Sequence, residues 1–234
     1  MDFHSDAKSL KFALDLANAL RHLHSNDPCI VHGDIRCANV LINSKSEAIL
    51  ADWGLAKCLD CPQSTYRMSR GCHLPWPWSA PEVILDREYS TCSDIYMFGV
   101  TIWEVLTEGD SPYDYQNLNL EVNMKQFAKQ IRKGERKLSF PAKRAKILSY
   151  IICSNRDLVK VLISCLDAVP KNRPSASTLC TLLEAIDLPK KVIQEQISLK
   201  NVTDATQIKA ARGGNTKTLS GNQTSSSCWC FCSS

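Results

Sequence analysis

Two acids and an amide stand close together in the first quarter of the chain. Asp34, in His32-Gly33-Asp34, is followed five positions later by Asn39, and Asp52 opens the triplet Asp52-Trp53-Gly54 thirteen positions after that. Carboxylate and amide oxygens are hard ligands, suited to Mg²⁺ rather than to a soft metal. A carboxylate able to take a hydroxyl proton beside such a cation is the equipment of phosphoryl transfer. There the cation offsets charge on the transferring group while the base orients the nucleophile. The set works only if the chain folds both acids and Asn39 onto one side.

The surrounding pattern predicts how that is done. Two short β-like pieces, 40–42 and 49–51, flank the turn-rich Asn43-Ser44-Lys45-Ser46, so a hairpin lies between the acids. Leu10, Ala13, Leu14, Ala17 and Leu20 recur at helical spacing, which predicts an amphipathic helix over 6–25, stopped by Asn26-Asp27-Pro28. Residues 94–106 are apolar nearly all round, the mark of a helix buried on most sides and the candidate centre of the fold. Further helices are predicted at 120–133, 156–167 and 175–187. Residues 52–81 read as one long loop rich in Pro, Gly and Cys, a length that a compact domain carries only for a function.

The ordered motifs resemble those of protein kinases. His32-Gly33-Asp34-Ile35-Arg36-Cys37-Ala38-Asn39 is similar to the kinase catalytic loop, Asp52-Trp53-Gly54 to the metal-binding triplet, and Ala80-Pro81-Glu82 to the end of the activation segment. The resemblance implies Asp34 as catalytic base within a loop that includes Arg36 and Asn39. It implies Asn39 and Asp52 as Mg²⁺ ligands and Leu41 as a floor beneath the adenine of ATP. It also implies structural roles for Asp94, which would hold the catalytic loop by its backbone, and for Arg173, which would pair with Glu82. His32 is read as a packed histidine supporting the loop. Arg36, two places after Asp34, and the aromatic-rich Leu74-Pro75-Trp76-Pro77-Trp78 resemble tyrosine kinases more than serine/threonine kinases, and Tyr66 stands where those enzymes carry an activation-loop phosphosite.

The expected fold is therefore mainly α: a kinase C-lobe over 1–187, helical with a short β-hairpin, with the N-lobe missing. No glycine-rich phosphate loop and no strand lysine of the Val-Ala-Ile-Lys kind is found in the sequence. Half of the ATP cleft is then absent and transfer is expected to be impaired. Gly33 replaces the arginine that pairs with a phosphorylated activation loop, and Trp53, replacing Phe, brings an N–H that needs a partner if buried. Two readings follow. One is ATP- and Mg²⁺-dependent phosphoryl transfer to a protein tyrosine, with Ser/Thr the lesser option. The other is a non-catalytic pseudokinase or binding module, or a fragment of a longer kinase, that holds a protein partner.

Composition narrows the alternatives. Hydrophobic residues at 44% and charged residues at 22% exclude wholesale disorder, and a net charge of +4 with scattered Lys and Arg predicts no nucleic-acid partner. Twelve cysteines, nine of them standing singly, without a signal peptide read as cytosolic thiols rather than a disulfide framework. Cys58-x-x-Cys61 with Cys72 and His73 has the residue types of a zinc site, with separate thiols the simpler account. Residues 188–234 are low in apolar content and are expected to be a disordered tail. Its closing Cys228-Trp229-Cys230-Phe231-Cys232 is a candidate for lipidation and hence for membrane association.

Overall fold

The computed structural model describes residues 6–69, 74–113, 124–138 and 156–186. In chain order the elements are α1 (Asp6–His24), β1 (Cys29–Val31), β2 (Val40–Ile42), β3 (Ala48–Leu50), β4 (Lys57–Leu59), β5 (Tyr66–Arg67), α2 (Pro81–Asp86), β6 (Glu88–Tyr89), α3 (Thr91–Leu106), α4 (Met124–Arg132), α5 (Arg156–Cys165) and α6 (Ala176–Glu184). All belong to one unit, Met1–Ile186. The tail cysteines, Cys72 and His73 lie outside the described residues.

Helix α3 runs through the middle because almost nothing on its surface tolerates water: twelve of its sixteen residues are buried, among them Ile95, Phe98, Ile102 and Trp103. Its start is fixed by reciprocal bonds, the Ser93 amide to Ser90 Oγ at 3.3 Å and the Ser90 amide to Ser93 Oγ at 3.0 Å. Gly99 lets α5 approach closely, since a Cβ there would sit 2.9 Å from Cβ of Cys165. Helix α1, which buries Phe12, Leu16, Leu20 and Leu23, packs on α3 and also on α6 and β3. Each such side chain removed from water contributes roughly 1.5–3 kcal/mol, so this apolar stripe, and not helix propensity, fixes where α1 lies.

The expected hairpin is present. Strands β2 and β3 are antiparallel, with Val40 opposite Leu50, Leu41 opposite Ile49 and Ile42 opposite Ala48. Its turn is closed by Asn43, whose Oδ1 accepts the amides of Lys45 and Glu47, both at 2.9 Å. Alternation then sets the faces: Ala48 and Leu50 turn inward while Leu41 and Ile49 turn outward. The Ala48 amide donates to Asp15 Oδ2 at 3.0 Å, which anchors the hairpin on α1.

The reading of 52–81 as a continuous loop is corrected. Strand β4 pairs antiparallel with β1, and β5 with β6, where Tyr66 faces Tyr89. Helix α2, absent from the expected elements, begins with Pro81 at a position where proline costs no hydrogen bond. Two- and three-residue strands are too short to show a period, and their ladders form with partners far along the chain. No helix among the described residues is long and apolar enough to cross a membrane.

Candidate active site

Asp94 organises the loop that carries Asp34. Its side chain is fully buried at the first turn of α3; Oδ1 accepts the Gly33 amide at 2.9 Å, and Oδ2 accepts the His32 amide at 2.8 Å and lies 3.0 Å from His24 Nε2. Gly33 adopts φ +77°, in the left-handed region, where a Cβ would meet the Tyr89 ring at 3.3 Å. A glycine at this position satisfies both the backbone and the packing.

His32 then links the two acid-bearing segments. Its ring is buried; Nδ1 accepts the Asp34 amide at 3.3 Å, so the Nε2–H donates to the carbonyl of Ala51 at 3.2 Å. These partners assign a neutral ring protonated at Nε2. The Ala51 amide in turn donates to the Asn39 carbonyl at 2.9 Å, and Asn39 Nδ2 donates to the Asp34 carbonyl at 2.8 Å. A closed circuit of Asp34, His32, Ala51 and Asn39 thereby brings the segment opening at Asp52 beside the loop of Asp34.

The oxygens left over define the chemistry. Arg36 Nε lies 3.2 Å from Asp34 Oδ1, but that buried oxygen receives no hydrogen bond, because the N–H does not point along the contact. It is an ion contact beside an acceptor with unused capacity. Asn39 uses its nitrogen on Asp34, which leaves its oxygen as the amide atom for a cation. Asp52 is exposed at φ +63°, with Oδ1 accepting the Gly54 amide at 3.2 Å and Oδ2 making no hydrogen bond among the described residues. Amide and carboxylate oxygens with unused lone pairs fit a hard divalent cation such as Mg²⁺.

Other expected residues fall as follows. Leu41 is 44% exposed on the outer face of the hairpin beside Ile49. Trp53 is 50% exposed and tilted against the His32 ring at 5.1 Å, so the expected need of its N–H for a protein partner does not arise. Arg173 grips Glu82 with two bonds of 2.6 and 3.0 Å, donates to the carbonyls of Cys92 and Asp167, and lies over the Tyr96 ring. Tyr66 is half-buried in β5, and Lys57 Nζ sits 5.6 Å over its ring.

Two neighbours were not foreseen. Glu104, the acid in the last turns of the largely apolar α3, accepts through Oε2 from the Cys37 amide at 3.1 Å and from Trp78 Nε1 at 2.9 Å. It thereby joins the catalytic-loop segment to the aromatic segment before Ala80. Burial pushes its carboxyl up, and the Trp78 bond partly opposes that. His24 is the other, a polar residue in the apolar stripe of α1. In both cases a polar side chain interrupting an apolar face was the available signal.

Residues 4–183 match the family described as protein tyrosine and serine/threonine kinase. The zebrafish (Danio rerio) tyrosine-protein kinase receptor TYRO3 is 32% identical over 177 residues, covering 76% of this chain and 18% of that protein. The Drosophila melanogaster activated Cdc42 kinase Ack is 31% identical over 68% of this chain and 13% of its own length. A probable receptor-like serine/threonine-protein kinase of Arabidopsis thaliana is 30% identical over 77% of this chain and 40% of that protein. The chain thus spans less than half the length of each of these relatives. With the motifs in order and the match extending over most of its length, the chain belongs to the protein kinase superfamily and is tyrosine-kinase-like.

Proposed function

We propose that this chain carries the catalytic-loop half of a protein kinase site that transfers the γ-phosphoryl group of ATP to a protein tyrosine. The supporting observation is the buried, under-used Oδ1 of Asp34 inside a loop tied down by Asp94, His32 and Asn39. In this reading Asp34 accepts the hydroxyl proton of the substrate. Arg36, 3.2 Å from its Oδ1, holds the Asp34 side chain in place. Asn39 and Asp52 would hold Mg²⁺ through their free oxygens, and Mg²⁺ would offset negative charge on the phosphates. Trp78, fixed by Glu104, would shape the ledge on which a phenolic side chain rests. The Arg36 and Trp78 pattern, together with the TYRO3 and Ack resemblances, favours tyrosine over serine or threonine.

A second reading, a non-catalytic partner-binding module, is favoured by one feature: the hairpin leaves the apolar side chains of Leu41, Ile42 and Ile49 exposed. Thermal shift with Mg-ATP separates the two. One-site linkage gives about 2.7 kcal/mol of stabilisation at a hundredfold excess over the dissociation constant. A flat response at millimolar Mg-ATP rules out independent catalysis and leaves the second reading. Where binding is seen, Asp34→Asn is expected to abolish transfer to a tyrosine copolymer while keeping the thermal shift. Transfer retained by Asp34→Asn removes the base assignment.

A further inference from the structure

The activation segment carries a feature that phosphoryl transfer does not use. Cys58, in β4, and Cys61, where the chain bends just after it, are both exposed, whereas Cys29, Cys165 and Cys180 are buried and Cys37 and Cys92 are intermediate. Cys61 Sγ lies 3.1 Å from Ser64 Oγ, and the bend is held by the Ser64 amide on the Cys61 carbonyl at 3.0 Å and by Thr91 Oγ1 on the Pro62 carbonyl at 3.1 Å. We infer that Cys58 and Cys61 form a peroxide-reactive dithiol, a modification site in which Cys61 is the attacking thiolate and Cys58 the resolving thiol.

The surroundings of the sulfur support the order of attack. The Ser64 hydroxyl, then the Gln63 amide and more weakly the Ser64 amide lower the Cys61 thiol below its ordinary range, against opposing effects of desolvation and, smaller still, of Asp60. Burial pushes Cys29, Cys37, Cys165 and Cys180 the other way. A thiolate at the surface is the form that attacks a peroxide, and a resolving thiol nearby is what converts the product to a disulfide. Cys58 stands three positions before Cys61, with only Leu59 and Asp60 between them, so the resolving thiol belongs to the same short segment.

The step balances as follows. The Cys61 thiolate attacks one peroxide oxygen, the O–O bond breaks, and Cys61 becomes a sulfenic acid while hydroxide leaves as water after taking a proton. The Cys58 thiolate then attacks the Cys61 sulfur, the S–O bond breaks, and the hydroxyl leaves as a second water. Two thiols lose two electrons and one peroxide is reduced to two waters.

The test uses the full chain, reduced and desalted, with hydrogen peroxide below one equivalent, then alkylation and trypsin. Cleavage after Lys57 and Arg67 gives a peptide, residues 58–67, holding both cysteines and no other. Expected are an unalkylated peptide two hydrogens lighter, restored by dithiothreitol, and in Cys58→Ser a dimedone adduct on Cys61. Cys61 is expected to react several-fold faster than Cys92, a lead that is lost in denaturant. Equal rates at Cys61 and Cys92, a lead that survives denaturation, a first adduct on Cys58, or a cross-link of Cys61 to the Cys29 peptide would each overturn the assignment.

Discussion

Replacing Asp94 tests the claim that one buried carboxylate holds the catalytic loop. Three donors converge on it: the amides of Gly33 and His32 and, at 3.0 Å, the His24 ring. In Asp94→Asn the amide keeps the carboxylate's shape but has one acceptor. Its oxygen can serve His32 and His24 while its NH₂ faces the Gly33 amide, donor against donor. A hydrogen bond to a charged group contributes about 1.5–3 kcal/mol, and a buried unsatisfied donor costs about 1–3 kcal/mol. Removing a buried charge returns part of this, so Asp94→Asn is expected to destabilise by about 2–4 kcal/mol. Asp94→Ala, which leaves all three donors and a void, is expected to cost more. Urea unfolding followed by tryptophan fluorescence gives the total. Hydrogen exchange at the His32 and Gly33 amides gives the location, with roughly tenfold faster exchange per 1.4 kcal/mol of lost local protection. A midpoint shift below about 0.5 kcal/mol with unchanged exchange at both amides would refute the reasoning.

The remaining predictions concern packing and charge. Arg173→Ala strands the part-buried Glu82 carboxylate and two carbonyls, so a loss of about 3 kcal/mol is expected in urea unfolding, with partial recovery when Glu82→Leu is added to Arg173→Met. Gly99→Ala places a methyl group 2.9 Å from Cβ of Cys165 and is expected to cost about 1–3 kcal/mol, visible as a lower Tm, because α3 and α5 must separate. Glu104 has its folded pKa raised by burial, so the stability linked to its titration is fully present below the ordinary carboxylate range and is lost as pH rises through the folded pKa. Glu104→Gln keeps an acceptor for Cys37 and Trp78 and is expected to remove that downward slope; an identical stability-versus-pH curve in the variant would show that the slope arises elsewhere.

Much of this arrangement was legible in the residues. The stripe of α1, the all-apolar α3 and the turn chemistry of Asn43 are local signals, and each produced its element within a few residues of the expected bounds. That the segments of Asp34, Asn39 and Asp52 meet was legible because they lie on either side of that one hairpin. What stayed hidden was non-local. The β1–β4 and β5–β6 ladders join segments about twenty to thirty residues apart with two or three residues each, too few for alternation to show. Trp53 was expected to matter through its N–H if buried, but burial is set by what lies above the loop, which spacing does not report. The contacts of Glu104 depend on where the segment around Trp78 folds back, and no periodicity on α3 encodes that.

The glycine at position 33 also constrains how this loop can change. Placing a basic residue there by Gly33→Arg would require a β-carbon at φ +77° and a few tenths of an ångström of retreat by Tyr89, whose ring is sealed in the interior. Tyr89 is the register partner of Tyr66, so that retreat would be felt across the β5–β6 pair. The two positions are therefore coupled: a side chain at position 33 needs a smaller one at position 89. A double-mutant cycle at the two positions should show the paired change to be less harmful than the sum of its parts, and strict additivity would mean that the ring is no obstacle.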